Sequence, residues 1–344
     1  MGTHFGTTHF AAAPTLADVA QRAGVSRQTV SNAINNPALL RADTLERVQS
    51  AISALDYRPN RAARNLRTRA SHLIGMRFAP AQEGTANAAM DRFVHSLVEA
   101  CKAAGYHVLL FAGDDRDPVA GYDALMRATA VDAFVVTDTY LGNPQAAALE
   151  SRGAPFVAFG RPWEGESRHP WVDVDGAAGT SLATEHLLER GHTRIGWLGW
   201  QESNWIGEDR RHGWERTMQS RHLPTDGLAV RVDDTLEDGM RGARLLLDQE
   251  HAPTGLVCAT DTLAMGALHV LAERGLRPGA DVAVVGFDDS QVAQVAPPGL
   301  TSVRQPLEEA AVEVVRALQG LLAHPGRAAT GVLLEPTLAI RGTS

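Results

Sequence analysis

Residues 15–35 read TLADVAQRAGVSRQTVSNAIN, and this stretch decides how the amino-terminal part of the chain folds. Thr15 is a suitable N-cap for a first helix, and Asp18 stands in the capping-box position three residues later. Gly24 provides the break that ends this helix, and Ser26 is placed to cap a second one. The spacing therefore predicts two short helices joined by a glycine turn, which is the arrangement of a helix-turn-helix.

The second helix divides into an apolar and a polar face. Val30, Ala33 and Ile34 recur at helical spacing and are expected to face inward. The opposite face carries the polar side chains Arg27, Gln28, Ser31 and Asn32. The paired donors and acceptors of arginine and glutamine match the edges of guanine and adenine in the major groove. The pattern indicates a helix that reads DNA bases.

Residues 42–57 predict a third helix, because Leu45, Val48, Ile52 and Leu55 fall at steps of three and four. Its expected role is to close a three-helix core rather than to contact bases.

The next segment, RPNRAARNLRTRA (residues 58–70), contains a helix of barely two turns, which is marginal in water and is expected to order on a partner. Arginines at positions 61, 64, 67 and 69 surround one isolated apolar residue, Leu66. This is the pattern of a minor-groove wedge, in which an apolar side chain enters between base steps while arginines hold the phosphates.

Charge is distributed unevenly along the 344 residues, whose formal net charge is -8. Residues 15–69 carry nine arginines and four acids, a net charge of +5, and residues 70–344 carry −13. A basic end on an acidic body is typical of a protein that contacts a polyanion through that end alone.

The composition bounds the class of protein. With 44% hydrophobic and 21% charged residues, the chain is ordinary for a globular protein of two or three domains. It contains no apolar run long enough for a membrane span, and residues 1–14 resemble a disordered leader rather than a secretory signal. The two cysteines, Cys101 and Cys258, lie in apolar patterns and are expected to be buried fillers. These features favour a cytoplasmic protein.

Residues 71–344 alternate short apolar runs with amphipathic helical patterns. The strand candidates are HLIGM, YHVLLFA, DAFVVTD, PFVAFG, RIGWLGW, GLVCAT and DVAVVGFDD. Strands that alternate with helices predict parallel sheets covered on both faces, and the number of units predicts two lobes.

The motifs TLADVAQRAGVS, QTVSNAIN and YRPNRAARNLRT together resemble the DNA-binding domain and hinge helix of the LacI/GalR family of bacterial transcription regulators. The resemblance implies a helix-turn-helix domain over residues 15–58 and a hinge helix over 59–70. It implies that Arg27 and Gln28 read major-groove bases, that Thr29 and Ser31 support backbone contacts, and that Leu66 enters the minor groove. The full set of DNA contacts it implies is Thr15, Ser26, Arg27, Gln28, Thr29, Ser31, Asn32, Tyr57, Asn60, Arg61, Ala63, Arg64 and Leu66.

One residue of the reading helix departs from the family pattern. Asn32 stands where many members have arginine, and asparagine reads adenine best while reaching less far. The usual operator preference of the family is therefore not carried over to this chain.

The motifs GHTRIGWLG, PTGLVCATDTLAMGA, DVAVVGFDDS and PPGLTSVRQP resemble the effector-binding core of the same family, which is similar to periplasmic sugar-binding proteins of type I. The resemblance implies an α/β core over residues 71–344, with two lobes, a ligand cleft between them and about three chain crossings. One lobe is expected over residues 72–171 and 303–328, and the other over 172–302 and 329–342.

The candidate effector-binding residues follow the carboxyl ends of the predicted strands, where open α/β sheets bind ligands. They are Arg161, Trp163, Asp175, Trp200, Trp205, Arg210, Asp261 and Asp288. Asp289 is a candidate for capping the next turn, and Trp197 and Trp214 are expected in the core. Hydroxyl-binding aspartates and arginines beside flat indole faces suit a sugar.

The resemblance implies a homodimeric repressor that binds a palindromic operator and is released by a sugar inducer. Several tryptophans favour a di- or oligosaccharide, such as the glucosides cellobiose or maltose. The alternative within the family is a purine-responsive corepressor type, in which tryptophans stack on the base.

Two other classes of protein would share the core. A sugar-transport protein would need a secretory signal in place of the basic domain. An enzyme would need a paired acid and base in the cleft, and Asp261 and Asp288 are the only candidates for this pair. No cofactor, metal or membrane partner is expected.

Overall fold

The computed structural model describes residues 14–58, 70–78, 88–113, 116–137, 139–140, 142–163, 168–200, 205–326 and 330–344. The chain divides into two compact units, residues 1–71 and 72–344. Within the described ranges, no helix is long and apolar enough to cross a membrane. The predicted leader, apart from Pro14, and the predicted hinge, apart from residue 70, lie outside the described residues. So do the proposed DNA contacts Asn60, Arg61, Ala63, Arg64 and Leu66.

The described part of the smaller unit, residues 14–58 and 70–71, contains three α-helices, as the sequence predicts. They are α1 (Leu16–Ala23), α2 (Arg27–Asn35) and α3 (Ala42–Ala54), with a short 3-10 turn at Pro37–Leu39 that the sequence analysis did not predict. A cluster around Val19, Val30 and Val48, each fully buried, forms the core of this unit.

The predicted helix ends are confirmed. Thr15 and Asp18 form a capping box, in which the Thr15 backbone N–H donates to Asp18 Oδ2 at 2.7 Å. Gly24 ends α1 with φ +64°, a left-handed conformation that favours glycine. Ser26 Oγ accepts the Thr29 backbone N–H at 3.1 Å and so begins α2. Local chemistry alone thus sets the angle at which α2 leaves the turn.

The larger unit alternates strands and helices along most of its length. Its first half contains β1 (Leu73–Phe78), α4 (Ala88–Ala103), β2 (His107–Ala112), α5 (Ala120–Arg127), β3 (Ala133–Val136), α6 (Pro144–Ser151), β4 (Phe156–Phe159), β5 (Trp171–Val174) and α7 (Gly176–Glu189). Its second half contains β6 (Ile195–Gly199), α8 (Trp205–Ser220), β7 (Ala229–Arg231), α9 (Leu236–Leu247), β8 (Gly255–Cys258), α10 (Asp261–Glu273), β9 (Ala283–Phe287), α11 (Gln291–Val295), β10 (Thr301–Arg304), α12 (Leu307–Ala323), β11 (Gly331–Leu334) and β12 (Thr337–Ala339).

The strands form two six-stranded sheets, one in each lobe. The first sheet has the order β11-β5-β4-β3-β1-β2, and the second has the order β12-β10-β9-β8-β6-β7. All described pairings are parallel except that of β10 with β12. This confirms the predicted two-lobed α/β core with parallel sheets.

The predicted lobe boundaries place most of β5 and all of β11 in the wrong lobe, and they divide β10 between the two lobes. Residues 171–174 form β5, which pairs with β4 and so belongs to the first lobe rather than the second. Residues 301–304 form β10, which pairs with β9 in the second lobe, and residues 331–334 return to the first lobe beside β5. Each short strand completes its sheet before the chain crosses, because an unpaired strand would leave its backbone hydrogen-bonding groups unsatisfied.

Each lobe has its own apolar core, in which near-continuous apolar strands are buried on both faces. Trp197 and Trp214 are each 1% exposed in the core of the second lobe, as predicted. Both cysteines are buried, and burial raises the pKa of Cys101 to about 11 and that of Cys258 further. Their thiols are therefore unreactive fillers.

Candidate DNA-reading surface and effector cleft

The exposed face of α2 carries the predicted base-reading residues. Arg27 and Gln28 in its first turn are exposed, while Ser31 and Asn32 in the next turn are half-buried. Gln28 Nε2 donates a hydrogen bond of 3.1 Å to Asn32 Oδ1, so the two amide groups are linked along the helix. The first turn contains no acidic residue, which leaves the positive end of the helix free to approach DNA.

The remaining predicted DNA contacts of this unit have structural roles. Thr15, Ser26 and Thr29 use their hydroxyl groups at helix caps, and Ser26 Oγ lies 2.9 Å from Thr29 Oγ1. Tyr57 is only 7% exposed and packs in the helical core, where burial raises its pKa. The ring of Tyr57 therefore supports the fold, and the prediction that it contacts DNA is not supported by its position.

Arg210 on α8 places a buried guanidinium in the larger unit. Arg210 Nη1 donates to the Ala259 carbonyl oxygen at 2.5 Å, and the guanidinium lies over the rings of Phe287 and Trp200. Burial lowers the pKa of Arg210, against the opposing effect of nearby aspartates. Arg210 Nε is buried and has no hydrogen-bond partner in the described structure, so it retains a donor for a ligand.

Asp288 follows β9 at the same point. Its Oδ1 lies 3.7 Å from Arg210 Nη1 and accepts a hydrogen bond of 2.7 Å from Gln305 Nε2. Burial raises the pKa of Asp288 to about 7, although Arg210 acts in the opposite direction. Asp288 has φ +108°, a conformation uncommon outside glycine, which is the kind of backbone strain often found at functional sites.

Trp200 and Asp234 form the neighbouring wall of this pocket. Asp234 Oδ1 accepts a 2.6 Å hydrogen bond from Thr260 Oγ1, and burial raises the pKa of Asp234. The Trp200 indole N–H lies close enough to Asp234 to lower the pKa of that carboxyl. Trp200 Nε1 is nevertheless buried without a hydrogen-bond partner among the described residues. It is a second unsatisfied donor in the same pocket as Arg210.

A second cluster joins the two lobes. Arg161, which follows β4 in the first lobe, donates from Nε to Asp173 Oδ2 at 2.6 Å. Its Nη2 lies 3.3 Å from Oδ2 of Asp209, a residue of α8 in the second lobe. Burial raises the pKa of Asp209 despite the attraction of Arg161. The cleft between the lobes is therefore lined by both of the sheets' carboxyl ends.

Two tryptophans face each other across this cleft. Trp163 belongs to the first lobe and Trp205 begins α8 in the second, and their rings lie 6.3 Å apart at 23°. Trp163 Nε1 donates to the Thr139 carbonyl oxygen at 3.0 Å, and the Arg161 guanidinium lies over its ring. The structure thus brings together Arg161, Trp163 and Trp205, as the sequence analysis expected of effector-binding residues.

Two other predicted effector residues are occupied elsewhere. Asp261 is 4% exposed and accepts bonds from the Ser290 backbone N–H at 2.7 Å and from Ser302 Oγ at 2.6 Å. Asp175 caps α7 by accepting the Ala178 N–H at 2.9 Å. Asp261 is therefore corrected to a structural residue, because both of its carboxylate oxygens accept hydrogen bonds within the fold. Asp175 uses only Oδ1 as a cap, so its contact with an effector stays a prediction. Asp289, the suggested cap, instead pairs with Arg304 and Arg341.

Sequence reasoning missed four polar residues of the cleft, namely Asp173, Asp209, Asp234 and Gln305. Gln305 and Asp234 follow β10 and β7, two short strands that the hydrophobic pattern did not reveal. Asp209 directly precedes Arg210 in α8, and it is recognised as a cleft residue only from its contact with Arg161 of the other lobe. A search at the ends of every short apolar triplet would have found Asp234.

The charges of the cleft are unequal. Four carboxylates, those of Asp173, Asp209, Asp234 and Asp288, act on Arg210, while Arg161 is the other cation. Within the described residues, no group of three or more histidine, cysteine or acidic side chains is arranged to hold a metal ion. A helix-turn-helix with an exposed polar face, together with a two-lobed core around a polar cleft, defines a ligand-regulated DNA-binding protein.

Comparison with known proteins agrees with this class. The family model for bacterial regulatory proteins of the lacI family matches residues 15–60, and that for the periplasmic binding protein-like domain matches residues 184–344. The chain belongs to the lacI family and is a transcriptional repressor, not an enzyme. Repressors of this family bind operator DNA and a small-molecule effector.

Particular relatives match over most of the chain. The transcriptional regulator CelR of Thermobifida fusca is 32% identical over 337 residues, 95% of this chain and 97% of its own length. The repressor PurR of Haemophilus influenzae (strain PittEE) is 31% identical over 295 residues, 85% of this chain and 86% of its own. A CelR–cellobiose complex has a TM-score of 0.74 at 30% identity, covering 96% of this chain and 100% of that one. The Lac repressor dimer bound to operator and an anti-inducer has a TM-score of 0.82 at 28% identity, covering 96% and 98%.

Proposed function

We propose that this repressor binds a palindromic operator as a homodimer and is released when a neutral di- or oligosaccharide occupies the cleft. A glucoside such as cellobiose is the proposed inducer, and genes of carbohydrate utilisation are the proposed targets. The observation that carries this proposal is the combination of two indole faces, Trp163 and Trp205, with carboxylates and buried unsatisfied donors in one cleft. Sugar rings present C–H faces to aromatic rings and hydroxyls to such polar groups.

The charge of the cleft supports a neutral ligand. Four aspartates surround two arginines, and both arginines are already paired with carboxylates. A phosphorylated sugar or a sugar acid would place a further anion among these carboxylates in a partly desolvated site, which costs free energy. Neutral hydroxyls, by contrast, donate to carboxylates and accept from Arg210 Nε and Trp200 Nε1.

The similarity to CelR supports the choice of sugar. That relative matches almost the full length of this chain, and a solved structure of a CelR regulator is a complex with cellobiose. The length and identity of the PurR match favour a purine as the second candidate effector, since a purine would also stack on the indole faces. A purine effector would act as a corepressor, with the opposite effect on operator binding.

The mechanism proposed for release follows from linkage. One reading helix covers a half-site, so two copies related by a two-fold axis read a palindrome. A sugar that binds one arrangement of the lobes more tightly than the other shifts the population of arrangements, and thereby the spacing of the two DNA-binding units.

Calorimetric titration of the full-length protein tests the effector. We expect binding of cellobiose or maltose, weaker binding of glucose, and no binding of glucose 6-phosphate. Operator binding, followed by fluorescence anisotropy, should weaken as the disaccharide is added. Binding of hypoxanthine or guanine without binding of any sugar, accompanied by tighter operator binding, would replace the sugar proposal with the purine one.

A further inference from the structure

Two contacts cross the cleft at the same place, and both join the segment after β4 to the start of α8. Arg161 of the first lobe pairs with Asp209 of the second at 3.3 Å. Trp163 of the first lobe stacks on Trp205 of the second. Arg161 also lies over the Trp163 ring at 5.3 Å, so the two contacts are physically connected.

Each partner of the ion pair is fixed within its own lobe. Arg161 Nε is held by Asp173 at 2.6 Å, and Nη2 also lies 3.4 Å from the Val174 carbonyl oxygen, both on β5. Asp209 Oδ2 accepts the backbone N–H of Ala177, a residue of α7, at 3.1 Å. Because neither side chain is free to follow the other, the ion pair can form only when the lobes lie close together.

The environment makes this ion pair more than a surface contact. The Arg161 and Asp209 side chains are only 20% and 16% exposed. Ion pairs that contribute little to the free energy of folding are typically exposed to solvent. Removing one partner of such a pair leaves a partly desolvated charge, which is the costly case. Opening the cleft separates the pair and exposes both groups to water.

The tryptophan pair reports the same closed arrangement. A centroid separation of 6.3 Å between nearly parallel rings lies in the range of direct aromatic contact. A sugar ring between two indoles would need about 7–8 Å, twice the usual carbon–carbon contact distance. The two rings therefore contact each other in this arrangement, and a ligand can reach their facing surfaces only after the lobes separate.

We propose that Asp209 is a positioning residue, which draws Arg161 across the cleft and so closes Trp163 onto Trp205 as an inter-lobe clasp. An effector must open this clasp to enter or leave, so Asp209 sets the rate of effector release as well as affinity. The part concerning effector release rests on the proposed function, because it assumes a sugar in this cleft. Closure of the clasp itself does not.

The first test needs no effector. Stacked indoles give an exciton couplet in circular dichroism, and the W205F difference spectrum isolates the contribution of this pair from that of Trp197 and Trp214, which also stack. We expect D209N and D209A to reduce that contribution by half or more. The control D123N removes an ion pair with Arg152 that lies within the first lobe, and it should leave the couplet unchanged.

The second test uses cellobiose and stopped-flow measurement of its dissociation. We expect D209A to accelerate dissociation at least fivefold and D209N to have an intermediate effect, because asparagine keeps an acceptor but not the charge. High salt should reduce the difference between wild type and D209N, which a merely structural role would not do. A folded D209A protein with an unchanged couplet and unchanged dissociation would overturn the proposal. If no sugar binds, the proposed effector is wrong, while the couplet still decides the clasp.

Discussion

Burial raises the pKa of Asp288 to about 7, although Arg210 acts in the opposite direction. A protonated carboxyl loses one acceptor position to its own proton, so we expect protonation to weaken effector binding. We expect effector affinity to be constant above pH 8 and to fall towards tenfold per pH unit once the pH is well below 7. Calorimetric titrations between pH 5.5 and 8.5 measure this dependence.

The variant D288N provides the control, and it separates binding from stability. The pKa of Asp288 in the folded protein exceeds the usual aspartate value of 3.8, so the folded state binds the proton more tightly than the unfolded state between pH 3.8 and about 7. Its contribution to the free energy of unfolding is therefore greatest at low pH and is lost as pH rises towards 7. We expect D288N to bind effector weakly at every pH, yet to be more stable than wild type at pH 8, where the desolvated charge of Asp288 is fully formed. Equal stability of the two proteins at pH 8 would contradict the conclusion that burial raises the pKa of Asp288.

We predict that Asn32, in the reading helix, governs which operator is bound. Its amide is linked to that of Gln28, so the two present donors and acceptors at fixed spacing along α2. We expect N32A to weaken operator binding by about 1–3 kcal/mol and to relax preference at one base pair. N32R should instead move that preference from A·T towards G·C. Selection from a randomised operator library measures both, and an unchanged consensus in N32R would show that residue 32 does not read bases.

At the scale of elements, the contact between α7 and α8 depends on one glycine. A Cβ atom at Gly213 would lie 2.1 Å from the Ala177 carbonyl oxygen, and backbone cannot yield as a flexible side chain does. We expect G213A to lower the free energy of unfolding of the larger unit by about 3 kcal/mol or more, and to weaken effector binding because Asp209 and Arg210 lie on the same helix. Denaturant unfolding measures the change. The exposed position Gln219 of α8 is the matched control, and Q219A should be neutral.

The hinge segment was interpreted from its sequence alone and stays a prediction. If Leu66 enters the minor groove at the operator centre, L66A should weaken operator binding by a few kcal/mol, the free energy of unstacking a base step. Effector affinity, measured by calorimetry on the same protein, should not change. An operator affinity of L66A equal to that of wild type would show that Leu66 does not act as a minor-groove wedge.

Local signals were sufficient for most elements, because helix caps depend on residues three or four positions apart. Thr15, Gly24 and Ser26 each have the predicted role. The effector cleft was predicted only in part, because its residues combine through the tertiary fold. Asp261 follows a strand end as expected, but Ser290 and Ser302 use its carboxylate, and Asp209 gains significance only from Arg161 in the other lobe. Sequence spacing contains no information about such partners.

At the scale of the whole molecule, residues 15–69 carry a net positive charge of +5, while residues 70–344 carry a net charge of −13. Lysine and arginine contacts with phosphates release counterions, so the logarithm of the operator-binding constant should fall linearly with the logarithm of salt concentration, by about 0.9 per phosphate contact. A dimer with several contacts per subunit should give a slope steeper than about −4. Effector binding in the acidic core to a neutral sugar should depend far less on salt than operator binding does, which supplies the internal control. Fluorescence anisotropy and calorimetry from 50 to 300 mM potassium chloride measure the two dependences. An equal salt dependence of operator binding and effector binding would contradict the assignment of DNA binding to the basic unit and of effector binding to the acidic core.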